Sequence, residues 1–163
     1  MKKLLNVSAW LAIIVGVVLI AGGTWGIWFT YQNVAQENIV TPSDASIPST
    51  QVLGPLTLRS QAEVIQKHAL SIANGNTYAE MPRVIPKLDE QGNPVLNENG
   101  EAVMVANTNR DIWITATTLI TALNLAIVTY LLSALILLFG CISIWTGVVF
   151  CTLSRKGKCA CSE

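Results

Sequence analysis

The stretch Ile112–Ser154, "IWITATTLITALNLAIVTYLLSALILLFGCISIWTGVVFCTLS", carries no charged residue along its whole length. A helix needs roughly 20 apolar residues to cross the hydrocarbon core of a bilayer, and this run is about twice as long. A second uncharged run, Leu4–Thr30, lies near the other end of the chain. Together they make a 163-residue chain 52% hydrophobic and only 12% charged, too apolar for an ordinary soluble domain. The expected fold is mainly α and membrane-embedded. It has two antiparallel transmembrane helices, the first over residues 4–30, with a polar segment, 31–111, between them.

The two runs differ in length. Trp10 and Trp28 stand about 27 Å apart on a helix, close to the hydrocarbon thickness, and aromatic residues favour both interfaces. Trp113 and Trp145 stand roughly 48 Å apart, too far to mark opposite interfaces. A helix over 112–153 therefore spans the membrane at about 130–152. Its earlier part projects outward as a stalk or lies in the outer interface. The hydroxyls and amide of "TATTLITALNLA", Thr115 to Ala126, favour a stalk half packed against protein. The alternative is a long tilted span whose threonines bond their own backbone.

Net charge is zero, but it is unevenly placed. Lys2 and Lys3 precede the first run, and Arg155, Lys156 and Lys158 follow the second, while residues 31–111 hold nine acids against five bases. Basic flanks stay cytoplasmic. The ends, 1–3 and 154–163, are expected inside the cell membrane and 31–111 outside it. An acidic middle argues against nucleic acid as a partner. The cysteines sit in the second run (Cys141, Cys151) and the tail (Cys159, Cys161), so no disulfide framework holds the exported segment. The first run is too long for a signal-peptide core and ends in Trp25, Trp28, Phe29 and Tyr31. It reads as an uncleaved anchor.

Ala12, Gly16 and Gly23 form a small-residue stripe on the first span, with Gly22-x-x-x-Gly26 beside it. Small residues let helix backbones approach closely. The partner is the second helix or a neighbouring subunit.

In the polar segment, Tyr31–Pro55 is rich in Asn, Ser, Thr and Pro and reads as an extended connector. A helix follows over about 57–73, capped by Thr57 or Ser60. Leu58, Ala62, Ile65, Ala69 and Ile72 make its apolar face, and Arg59, Glu63 and Lys67 its charged one. Thr77-Tyr78-Ala79-Glu80 has capping-box spacing and opens a short helix over about 77–85. Residues 88–104 hold an imperfect tandem repeat, DEQGNPVL then NENGEAVM, whose Gly-centred turns suit a short β-hairpin or tight loops. The acids do not match an EF-hand loop, so exposed turns are the better reading.

The stretches "ENIVTPSDAS", "GPLTLRSQAEVIQKHAL", "GNTYAEMPR" and "RDIWITATTLITALNLA" resemble a family of small two-span bacterial membrane proteins, chiefly actinobacterial. The resemblance covers most of residues 20–140. It implies the two-span architecture. Members are sometimes labelled aromatic ring-opening dioxygenase, a chemistry that holds iron with two histidines and a carboxylate. This chain has a single histidine, His68, so the label does not fit.

His68 lies at the edge of the apolar face, between Val64 and Ile72 on neighbouring turns, so a charged partner has to be tertiary. Glu80 and Asp111 are the candidates. The expected role is a contact, one able to respond to pH because imidazole titrates near neutrality, and Glu80 and Trp113 join it as candidate interaction residues. No nucleophile motif accompanies it. Cys159-x-Cys161 is a weak metal candidate, two ligands where four are usual, and these thiols could equally be free or lipid-modified. No catalytic residue, metal or cofactor is expected. The expected function is a non-catalytic membrane protein, surrounded by lipid, serving as an accessory or structural subunit of a larger complex or as a homo-oligomer. The alternative is an extracytoplasmic ligand- or lipid-binding sensor with a cavity between the His68 helix and the stalk.

Overall fold

A computed structural model describes residues 2–156. The elements in order are α1 (Lys2–Gln36), α2 (Pro55–Ile72), β1 (Val84–Pro86), β2 (Met104–Ala106) and α3 (Thr108–Lys156). The fold is mainly helical, with two long apolar helices and one small antiparallel sheet. It divides into two compact units. One comprises residues up to 39, 52–55 and 125 onward; the other comprises 40–51 and 56–124.

In the first unit, α1 has 35 residues and α3, which begins in the second, has 49. Both overrun the expected 4–30 and 112–153. At ~1.5 Å per residue α1 is about 52 Å long and α3 about 73 Å, so each is long and apolar enough to cross a membrane. Leu4, Trp10, Trp28, Leu132 and Trp145 are exposed on this unit.

The two helices meet along a heptad of small residues. Ala9, Gly16, Gly23 and Thr30 are the buried positions of α1; Ser133, Gly140, Gly147 and Ser154 are buried on α3. Each recurs every seventh residue, the spacing that keeps a seam facing its partner. A Cβ on Gly16 would stand 2.8 Å from the Gly140 carbonyl oxygen, and one on Gly140 would stand 3.0 Å from that of Gly16. A Cβ on Gly23 would stand 2.9 Å from the Ser133 carbonyl oxygen, and one on Gly147 2.8 Å from that of Ala9. Backbone thus meets backbone, and only glycine fits. Ser143 Oγ donates to the Ala12 carbonyl at 2.8 Å, and Gly26 makes room for the Ser133 hydroxyl. Gly22 faces open space within the chain, one residue off the heptad, so it is not part of the α1–α3 seam. The unit is completed by Val52, fully buried, and by Leu53, whose carbonyl accepts from Tyr130 Oη at 2.8 Å.

The second unit departs further from expectation. Residues 40–51 are not an extended connector. Val40 bridges Gln51, and the buried Thr41 hydroxyl donates to the Ile47 carbonyl and accepts from the Thr50 N–H. The result is a compact loop with its ends together. α2 starts at Pro55, a residue suited to the first helical position because it lacks the N–H that would be orphaned there. Ser60 is therefore no cap. It is buried inside the helix, where its Oγ accepts from Ile47 N–H and Ser46 Oγ at 2.9 Å each.

The expected helix over 77–85 is absent. Glu80 does reach back to Thr77, accepting from its N–H at 2.7 Å and its hydroxyl at 2.8 Å. The turn ends there because Pro82 falls beyond the first turn, where a helix needs an N–H to bond Tyr78. The Tyr78 carbonyl instead accepts from the Arg110 guanidinium at 3.0 Å, the Met81 carbonyl accepts from the same group, and Asn107 Nδ2 donates to the Pro82 carbonyl at 3.0 Å. Asn107 also accepts from the Asn109 N–H, capping α3.

The two units of the repeat link three segments. β1 and β2 pair Val84 with Ala106, Ile85 with Val105 and Pro86 with Met104. Leu88 bridges Pro94, and Leu96 bridges Ala102. The segments Pro86-Lys87-Leu88, Pro94-Val95-Leu96 and Ala102-Val103-Met104 close a ring through their central residues. Lys87 N–H donates to Val103 at 2.7 Å, Val103 N–H to Val95 at 2.8 Å, and Val95 N–H to Lys87 at 2.8 Å. The linking loops match: Asp89 Oδ1 accepts from Gln91 and Asn93, and Asn97 Oδ1 from Asn99 and Glu101. Gly92 and Gly100 take φ of 84° and 81°, left-handed geometry that glycine adopts freely.

Candidate functional site

The single histidine stands on α2 in the second unit, where Leu58, Ala62, Val64 and Ala69 are buried. Ile65 is half-buried and Ile72 is exposed. The inward face is thus turned from the expected one towards Val64, because Ser60, a buried polar residue, anchors the loop 40–51 against the helix.

That loop supplies the partner of His68, and it is neither of the two expected. Asp44 Oδ2 accepts from His68 Nε2 at 2.9 Å and from Lys67 Nζ at 3.1 Å. Glu80 is engaged by Thr77, and Asp111 sits at the N-terminal turn of α3, where an acid is favourable against the helix dipole. The hydrogen bonds from His68, then Lys67, hold the Asp44 carboxyl below the ordinary aspartate range. The Thr77 N–H, then its hydroxyl, do the same for Glu80. With Lys67 drawn to Asp44, the helix-surface ion pair reduces to Arg59–Glu63 at 2.8 Å.

Beside His68 runs an open groove of about 440 Å³ between α2 and the first turns of α3. Ile65, Ala69, Ile72, Ile112, Ala116 and Leu119 make it apolar; His68, Asp111 and Thr115 are its polar members. Its surface suits an aliphatic or aromatic group. Trp113 is half-buried and does not line it. His68 and Asp44 form an acid–base pair in which the side chains are 52% and 42% exposed, an arrangement open to water and unlike the buried dyads that activate a nucleophile. Among the described residues no three His, Cys, Asp or Glu side chains come together. Cys159 and Cys161 lie outside the described residues.

The threonines of α3 also resolve differently. Thr115, Thr118, Thr121 and Thr129 each donate to the carbonyl four residues back. Their hydroxyls need no outside partner, so their number does not by itself favour a stalk over a lipid-exposed helix.

No protein-family model, curated protein or solved structure matches the chain.

Proposed function

We propose that the protein is a non-catalytic integral protein of the cell membrane, an accessory or structural subunit of a larger membrane complex or a homo-oligomer. Its α1 and α3 cross the bilayer, its ends are cytoplasmic, and residues 31–111 are extracytoplasmic. The observation that carries this is how the polar side chains of the second unit are used. Thr41, Ser60, Glu80, Arg110 and Asn107 all bond backbone and hold loops in place. The small-residue seam supports reading α1 as a retained anchor, because its heptad is matched along α3.

The test is purification of the full-length chain from its native membrane in mild detergent, followed by native mass spectrometry. The expected result is a defined assembly, with α1 present in the intact mass. A chain recovered alone and monomeric overturns the proposal.

The groove beside His68 favours a second reading, an extracytoplasmic site for a lipid or other amphiphile. Native mass spectrometry under gentle conditions then shows an adduct that Ala116→Phe, which fills the groove, removes. An adduct that survives the substitution counts against this site.

A further inference from the structure

The threefold ring at residues 86–104 is more than a connection between the turn at Met81 and α3. Leu88, Leu96 and Met104 occupy the same place in its three segments, each one residue beyond the hydrogen-bonded centre. They are 57%, 60% and 52% exposed. A single exposed apolar side chain is ordinary; three at equivalent positions around one small ring are a repeated feature of the kind that interaction surfaces use. Nothing in the local structure demands them. The turns depend on Asp89, Asn97, Gly92 and Gly100, and the ring on backbone groups, so polar residues would serve equally well at 88, 96 and 104.

The loops that link these positions are acidic. Asp89, Glu90, Glu98 and Glu101 stand against Lys87 alone between residues 87 and 104. Surface anchors to a bilayer pair their apolar residues with Lys and Arg, the opposite of this rim. Two copies meeting through this surface would bring like charges together, which complementary interfaces avoid. We propose that the ring is a docking surface for a partner protein offering an apolar pocket rimmed by lysine or arginine. Leu88, Leu96 and Met104 fill the pocket, and Glu90 and Glu98, whose carboxylates are exposed, face its rim. The proposal rests on the reading that the chain works within a complex and names the surface it uses.

The experiment compares full-length wild type, the triple variant L88S/L96S/M104S and the charge reversal E90K/E98K, each expressed in the native membrane and purified in mild detergent. A photo-crosslinking residue at Leu96 reports what touches the ring. The expected result is one protein adduct at Leu96 and a complex whose dissociation constant rises on the order of tenfold or more in the triple variant. It rises also in the charge reversal, and more so at low salt than at high salt, where screening weakens rim charges. Wild-type complex left intact by both variants overturns the docking surface and leaves membership of a complex standing. No wild-type complex overturns both. Adducts to lipid, or to a second copy of the chain, overturn the stated partner. Should the triple variant lose its thermal transition, the charge reversal, which touches only exposed carboxylates, decides the matter.

Discussion

Asp44 shows how one loop residue sets the environment of the only histidine. Its carboxylate binds Lys67 and His68 together. Because its folded-state pKa lies below the ordinary value, its contribution to stability is present above ~pH 3.9 and is lost as pH falls through the lowered folded value. NMR of loop residues 40–51 is expected to show a transition with a midpoint below ~3.9, absent in Asp44→Asn. The group is exposed, so the effect is confined to the loop and leaves the global melting temperature nearly unchanged. Ser60 matters more for stability. It is 1% exposed and receives the Ile47 N–H. Ser60→Ala leaves that donor without its partner and costs about 1–3 kcal/mol, measurable by thermal unfolding of the purified protein and by faster proteolysis within 40–51.

At the scale of elements, the α1–α3 seam and the Arg110 clamp make opposite kinds of demand. The seam excludes volume. Gly16→Ile drives a side chain into the Gly140 carbonyl and Ile144, and overpacking of this sort costs about 1–3 kcal/mol. Gly22→Ile, on the same helix but facing open space, changes stability by less than about 0.5 kcal/mol. Melting temperatures in one detergent distinguish the two, and equal losses would remove Gly16 from a close contact. The clamp supplies donors. Arg110 serves the Tyr78 and Met81 carbonyls and lies 3.8 Å above the Tyr78 ring. Arg110→Ala is expected to cost about 1.5–3 kcal/mol. Arg110→Lys recovers only part of this, because an ammonium lacks the planar fork. Limited proteolysis near Thr77–Arg83 reads the loss directly.

For the whole molecule, the proposed function turns on which side of the membrane each part faces. The proposed orientation, ends inside, rests on the charge rule applied to the basic flanks at Lys2, Lys3, Arg155 and Lys156 and the acidic segment between them. In a background with the native cysteines replaced, Asn99→Cys in intact cells is expected to react with a membrane-impermeant maleimide. Lys3→Cys reacts only after permeabilisation. The reverse pattern inverts the proposed topology.

Some of this was legible in single residues. Two long helices follow from two uncharged runs, because a run that long has few other ways to be stable. The helix around His68 follows from its periodicity, and close packing at Gly16, Gly23 and Gly26 from their lack of a side chain. The helix expected over 77–85 failed because capping-box spacing describes one turn, and Pro82 with the distant donors Arg110 and Asn107 stops the next. A small-residue stripe was visible on α1, but the heptad was not: it depends on Gly140 and Gly147 across the seam and on Ala9, which the stripe did not single out. The partner of His68 was hidden for the same reason: Asp44 is 24 residues away, in a Pro- and Ser-rich stretch that looks extended until Thr41 and Ser60 fold it back. Local composition and periodicity determined which segments are helices and where their apolar length lies. Only the tertiary structure decided which residues meet, because hydrogen bonds from Ser60, Arg110 and Asn107 and backbone contact at the glycines join positions whose separation along the chain leaves no periodic trace.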